Sequence, residues 1–563
     1  MNFVFSARGS RALSRMLLAS AAVFGIATAA QAAVVISTKP TKHMTCSAGV
    51  CTPTKSNAVL NVNDLTAMLA AGDATVISDS NALDIIVAAP FTWTSKSRLT
   101  LTADNSIIVQ QPVTVAGRGA LTLSPDQNGK NGPVLYQKKG HVTFWDMRSN
   151  VVVSGATYSL VKSISALRKA IAANSSGNYA LANDYDASLD GTYGKSPIAE
   201  FYGYAEGLGN TISHLTIKDG TAGDNVGLFA FTGQQSRVDH FRLAMARVSG
   251  GSGPHVGALV GQADGSLLGD VVSGSVNAGD GGHVGGIVGE QDEPGSSWFC
   301  ESSATVSSGH TSRTGGIVGE GYETYHSSAS GNVSILDGWV GGIGGDAGVV
   351  AYSHATGNVA ATGADSQAGG LAGVAYEIDY SYATGQVTAE DTSWIGGLAG
   401  SSSTTKASFA AGAVNVMGEQ DIAGGLLGQA EGLVWNSYAT GAVSAGENGH
   451  EAGGLVGYYT SAAQIYITYA VGTVSGGQYT GGIAGFADPG AQNMTSTYWD
   501  LDTSGISDPS QAVGNIPNEP GAIGLTTQQF KAGLPDGFDP NMWAENPNIN
   551  NGYPYLLANP PPK

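Results

Sequence analysis

The sequence predicts an all-β protein, a parallel β-helix or β-solenoid with coils of about 28 residues and short capping helices near both ends. The first observation behind this is a glycine phrase at near-constant spacing. It runs Gly257-Ala258-Leu259-Val260-Gly261, Gly285-Gly286-Ile287-Val288-Gly289, Gly315-Gly316-Ile317-Val318-Gly319, Gly341-Gly342-Ile343-Gly344-Gly345 and Gly369-Gly370-Leu371-Ala372-Gly373. It continues as Gly396-Gly397-Leu398-Ala399-Gly400, Gly424-Gly425-Leu426-Leu427-Gly428, Gly453-Gly454-Leu455-Val456-Gly457 and Gly481-Gly482-Ile483-Ala484-Gly485. The last glycines run from 261 to 485, so eight intervals cover 224 residues, a mean of about 28. The second observation is the run between phrases, such as Ser381-Tyr382-Ala383-Thr384-Gly385-Gln386-Val387, rich in Val, Thr and Tyr and bounded by Gly, Asn or Asp. Such runs read as strands flanked by turns. Thirdly, no copy holds an amphipathic window of ~12 residues, which sets helical repeats aside.

The glycines follow from the geometry. Where the chain turns on every coil and stacks at the ~4.8 Å strand spacing, a side chain would clash or force a left-handed backbone. The Leu, Ile or Val after each glycine pair is expected to point inward as an aliphatic ladder. Each coil buries its apolar side only against its neighbours, so both ends need caps.

The Gly-Gly-Leu-Val-Gly phrase, with Asn436-Ser437-Tyr438-Ala439-Thr440-Gly441-Ala442-Val443 ahead of it, resembles the GLUG motif of bacterial surface and secreted proteins, including haemagglutinin-like adhesins. The resemblance covers roughly half of the chain. It implies an exported, repetitive architecture and no particular site, because the motif is a building block.

In chain order, residues 1–32 carry Arg8, Arg11 and Arg15, an apolar run from Met16 to Ala27 and the small-x-small site Ala30-Gln31-Ala32, which reads as a secretory signal peptide. Residues 33–160 read as irregular β-helix coils with a short cap helix over Asn63 to Gly72. In them Cys46 and Cys51 suit a local disulfide in an oxidising compartment, while Cys300 is left over as a small buried residue. Residues 161–224 open with a helix in which Ile164, Leu167 and Ile171 share one face, followed by lead-in coils. The repeat array spans 225–490. Residues 491–563 form a C-terminal cap and Pro-rich tail, with Thr526 and Gln529 at capping-box spacing.

The net charge is −19, and loss of the three leader arginines makes it −22. A thinly charged, acidic surface argues against nucleic acid and anionic membrane as partners. After signal cleavage no stretch reaches the ~18 apolar residues of a membrane span.

Polysaccharide lyases and hydrolases also use β-helices, and they need converging carboxylates. The nearest groups, Asp184 with Asp186 and Asp190, and Asp500 with Asp502, lie among turn residues and read as turn formers. Glu290, Glu320, Asp346, Glu377 and Glu431 follow several glycine phrases, and read as a solvated face before a calcium column. The histidines, among them His255, His283, His310, His326 and His354, show no metal-ligand spacing. No catalytic residue, metal or cofactor is therefore expected. The repeat tyrosines divide between core rungs and an aromatic strip, for which Tyr352, Tyr382, Tyr438 and Tyr469 are the candidate sugar-stacking face. The sequence thus points to an exported, non-catalytic adhesin-like or matrix protein at the cell surface or outside it, with glycans or host or neighbouring cell-surface proteins as partners. A periplasmic or secreted carbohydrate-binding or polysaccharide-degrading protein is the alternative, and a structural spacer a third.

Overall fold

The computed structural model describes residues 32–391, 393–446 and 450–562; the expected leader, up to residue 31, lies outside them. Within these bounds the chain winds into a parallel β-solenoid of about 17 turns with coils of roughly 28 residues.

The first coils are irregular: Leu99, Leu121 and Val151 sit side by side although 22 and 30 residues apart in sequence. Strand Ala33–Ser37 lies inside its sheet, paired on one side with Ala58–Asn61 and on the other with Asp84–Val87. Helix α1 (Val62–Ala71) closes this end, with Val62, Leu65 and Leu69 buried against the core and Gly72 as its stop. Its cap is Asn61, so it begins one residue before the sequence-based start. Cys46 and Cys51 are joined as a disulfide across a short hairpin.

At residues 154–155 the strand direction reverses. Asn150–Val153 pairs antiparallel with Ala156–Val161 through a two-residue turn in which Ser154 and Gly155 both have positive φ (48° and 82°). That is the turn geometry whose twist matches paired strands. Ala156–Val161 then pairs parallel with Asn178–Leu181, and helix α2 (Ile164–Ala173) buries Ile164, Leu167 and Ile171 against the flank.

In the array the phrases stack in register, Gly257 beside Gly285, then Gly315, Gly341, Gly369, Gly396, Gly424, Gly453 and Gly481. Ile287, Ile317, Ile343, Leu371, Leu398, Leu426, Leu455 and Ile483 form the expected inward ladder, all without solvent exposure. The glycine pairs act through close approach alone. A Cβ on the first glycine of a pair would meet its own coil's backbone, 1.9 Å from the Val456 oxygen at Gly453; on the second it would meet the next coil, 2.1 Å from the Gly454 oxygen at Gly425. None of these pairs has positive φ, which corrects the left-handed half of the expectation.

The left-handed corner belongs to another position. Phe299, His326, Tyr352, Tyr380, Ala407, Asn436, Ile467 and Ser496 all have φ between 44° and 55°, one per coil. Each such residue carries a strain of ~1–2 kcal/mol. In five of the eight, from His326 to Asn436, the next residue is a serine that offsets part of it. Ser353 Oγ donates to the Ala351 carbonyl at 2.9 Å and accepts the Ser327 N–H at 3.0 Å, and Ser381, Ser408 and Ser437 repeat the pattern. These hydroxyls are buried and satisfied both ways, which accounts for Ser in the Asn-Ser-Tyr-Ala-Thr-Gly run.

At the far end Trp499 pairs beside Ala470, in the small residue's column, and seals the last coil. Helix α3 (Thr527–Phe530) forms with both capping-box hydrogen bonds of Thr526 and Gln529. Beyond it the tail does more than close the end: it folds back along the flank. Phe530, Phe538, Trp543, Tyr553 and Leu556 pack over Phe409, Tyr438, Tyr469 and Tyr498, and the Asn559 amide donates to the Ser381 and Ala407 carbonyls.

Candidate ligand groove

The left-handed corner and the position two residues after it carry two aromatic columns. In the first, Phe299, His326, Tyr352 and Tyr380 stack at 4.8, 4.9 and 5.0 Å with planes within 14°. In the second, His354, Tyr382, Phe409, Tyr438 and Tyr469 stack at 4.8–4.9 Å, within 11°. Isolated rings prefer offset or edge-on pairing. Here the strand spacing imposes the stack.

This arrangement corrects the sugar-stacking expectation. Tyr438 and Tyr469 are wholly buried beneath the tail, where Tyr469 donates to the Pro554 carbonyl. Tyr352 is 41% exposed and Tyr382 half-buried, but their faces are covered by neighbouring rungs. What they turn outward is ring edge.

The exposed part of the columns floors a groove of about 2330 Å³. One wall is the 124–134 segment of the first solenoid part, with Asp126, Gln127, Asn128 and Asn131; the other is the tail, with Asn548, Asn551, Tyr555 and Pro560 to Pro562. The floor between them comes from Trp298, His326, Tyr352, His354, Tyr380 and Tyr382. Burial lowers the pKa of both His326 and His354, so at neutral pH they are uncharged donors and acceptors. Apart from the Asp126 and Lys130 charges of the wall, amides, imidazoles and phenol edges over an apolar stack suit a neutral chain that offers hydroxyls and apolar ring faces together.

At the groove's end the floor is ionic, with its acids and histidine buried and Arg237 half-buried. Arg237 pairs with Asp239 at 2.8 Å, and His240 Nδ1 faces Glu206 at 3.0 Å while Nε2 donates to the Val134 carbonyl at 2.8 Å. Burial opposes the charge on His240, yet Glu206 and the hydrogen bonds leave its pKa raised. Burial pushes Asp239 up to about 6 against the pull of Arg237. Glu206, Asp239 and His240 are each under 5% exposed, and His240, through the Val134 carbonyl, ties the two solenoid parts together.

The carboxylates weighed from sequence fall into local roles. Asp190 accepts both Tyr185 and Tyr193 hydroxyls, Asp186 caps a short 3-10 turn and meets His214, and Asp184 accepts the Thr211 N–H. Asp500, fully buried, accepts from Thr527 and Tyr553, and Asp502 from the Thr527 N–H. The acids after the glycine phrases split: Glu290, Glu320 and Asp346 are successive rungs, whereas Glu377 pairs with Lys406 in another column and Glu431 accepts from Ser401 and Ser403. Two histidines read as scattered prove adjacent, since His255 and His283 pair rung to rung and both meet Glu290. The signal was the period itself: residues one coil apart are neighbours.

The class is a parallel β-solenoid. No protein-family model matches the chain, and no solved structure matches it. A stretch of 102 residues is 39% identical to Halomucin of Haloquadratum walsbyi; it is 17% of this chain and 1% of Halomucin, so the chain spans only a small fraction of that protein's length.

Proposed function

We propose that this is an exported, non-catalytic adhesin-like or matrix protein of the cell surface or extracellular space, which holds a glycan chain along the groove. The observation that carries the reading is the uncovered run of the two columns, from Phe299 to Tyr382, between the wall at 124–134 and the tail. Successive aromatic rungs multiply a weak contact along a chain-like partner, which is avidity without a single strong site. The Cys46–Cys51 disulfide suits an oxidising compartment. The short likeness to Halomucin, a mucin by name, agrees with a place outside the cell.

Migration of the purified protein through native gels cast with neutral or acidic polysaccharides tests binding. Retardation by at least one neutral glycan is expected, weakened several-fold in Tyr352→Ser/Tyr382→Ser. Equal retardation of both proteins overturns the groove as the site, and polysaccharide shortening by the wild type overturns the non-catalytic reading. Protease shaving of intact cells tests location: protection of the protein in unbroken cells, with none in the medium, overturns the surface placement.

A further inference from the structure

A second cluster lies on the array away from the groove and shares none of its lining residues. His255 belongs to strand His255–Gly257, His283 to the adjacent strand His283–Gly285, and Glu290 to the strand opening at Val288. The register places the two histidines side by side, and the next rung is Arg313. Their ring centroids are 4.9 Å apart with planes at 52°, so the rings are turned and do not stack flat. Both Nδ1 atoms approach one carboxylate oxygen, Glu290 Oε2, at 2.7 Å from His255 and 3.4 Å from His283. Both are shielded from solvent, and neither makes an aligned hydrogen bond.

Two shielded imidazole nitrogens converging on one carboxylate oxygen form a ligand set. Zinc binds imidazole nitrogen at ~2.0–2.1 Å, so ligand atoms around a tetrahedral ion stand ~3.3 Å apart. The 3.4 Å separation of His283 and Glu290 already has that value; the 2.7 Å pair opens by about 0.6 Å, within reach of one χ rotation of Glu290. The other ring nitrogen of His283 lies 3.3 Å from Glu320 Oε2. A carboxylate behind a ligating histidine fixes the tautomer that presents Nδ1 to the metal. Among the described residues the nearby cation is Arg313, whose Nη1 stands 3.3 Å from His283 Nε2 and closer to Glu320 Oε2. It also meets Asp346 at 3.6 Å and the Trp339 ring at 4.6 Å. With Glu320 taking the Nε2 proton, Arg313 donates to Glu320 and Asp346.

We propose that His255, His283 and Glu290 bind a divalent first-row transition ion, zinc foremost, with Glu320 as the positioning residue behind His283. Two nitrogens and one carboxylate favour such an ion over calcium or magnesium, which take six or more oxygens. Three protein ligands leave a fourth position for water or for a donor from a partner. The ion also clips two successive coils together through a pair of side chains one period apart. This proposal departs from the expectation that the histidines carry no metal set.

Titration calorimetry of the full mature chain, without a histidine tag, uses ZnCl2, CaCl2 and MgCl2 as probes. One zinc ion per chain is expected, with no calcium or magnesium heat at this site. Zinc affinity falls at least tenfold in His283→Ala and in Glu290→Gln, and to a lesser degree in Glu320→Gln, while His310→Ala is unchanged. Cobalt-loaded protein gives the visible absorption of a tetrahedral ion, lost in Glu290→Gln. Circular dichroism checks folding; if His283→Ala unfolds, His255→Asn and Glu290→Gln decide. No zinc binding to the wild type, or unchanged affinity in folded ligand variants, overturns the proposal.

Discussion

Gly425 faces Ala439 across the solenoid interior: a Cβ built on Gly425 would stand 3.0 Å from the Ala439 methyl and 2.1 Å from the Gly454 carbonyl oxygen. The same pairing joins Gly316 with Ala329, Gly342 with Ala355, Gly370 with Ala383, Gly397 with Ala410 and Gly454 with Ala470. Two sequence phrases that look independent are opposite walls of one narrow coil. The Gly425→Ala variant is expected to lose at least ~3 kcal/mol, the upper end for overpacking, because the tighter contact is with backbone that cannot rotate away. Adding Ala439→Gly relieves only the methyl, so chemical denaturation is expected to find the double variant no more stable than Gly425→Ala.

The serine ladder makes its own prediction. Ser381 Oγ accepts the Ser353 N–H at 3.1 Å and donates to the Asp379 carbonyl at 2.8 Å. Ser381→Ala leaves a buried N–H without a partner, a loss of about 1–3 kcal/mol. Hydrogen exchange is expected to quicken at Ser353 and its neighbouring coil, with little change at the first coils; uniform exchange along the chain would count against a ladder role.

The tail shields the aromatic columns, and Trp543 is its central contact, buried against Tyr438 and Tyr469 with its indole N–H on Asn436 Oδ1 at 3.0 Å. Trp543→Ala is expected to destabilise tail docking by about 3–5 kcal/mol. Dye binding to the exposed Phe409, Tyr438 and Tyr469 rungs should rise while far-ultraviolet dichroism stays near wild type. Loss of the β signal itself would mean that the tail holds the solenoid together and does not merely cover it.

Glu519 supplies a pH dependence. Both its carboxylate oxygens are buried without partners, and burial raises its pKa to about 7. A carboxyl whose folded pKa exceeds its unfolded value of ~4.3 contributes its stability below that value and loses it as pH rises through about 7. The C-terminal end is thus expected to be firmer at pH 5 than at pH 8, read as proteolysis of residues 500–562. Glu519→Gln should remove most of that difference; an unchanged pH profile would reject this assignment.

Register predicts a deletion result. Gly341 and Gly369 are paired rungs, so removing 342–369 joins equivalent points of successive coils, whereas removing half of that stretch turns core residues outward. The full-coil deletion should fold and bring the tail about 4.8 Å nearer to the 124–134 wall, measured between spin labels at Asn128→Cys and Ala558→Cys. The half-coil deletion should not fold.

Much of the architecture was legible because a solenoid repeats one local solution. The ladder from Ile287 to Ile483, the Asn-Ser-Tyr-Ala-Thr-Gly strand and the capping box at Thr526 are each written within a few residues of one another. The site was legible only in part. Tyr352 and Tyr382 do reach the groove, but stacking turns their edges outward and the tail hides Tyr438 and Tyr469, neither of which a list of tyrosines conveys.

The sequence by itself determined the period, the parallel β-solenoid, the inward aliphatic positions and the need for caps, since these follow from spacing and from what each coil must bury. Only the tertiary structure decided the strand reversal at Ser154 and Gly155, the fold-back of the tail and the meeting of His255, His283 and Glu290. The physical reason is reach. Asn436 meets Trp543 across 107 residues and Asn559 meets Ser381 across 178, distances over which only three-dimensional packing selects a partner. For the histidines the reach is a single coil, and there the period was already in the sequence while the turn of each ring toward one carboxylate was not.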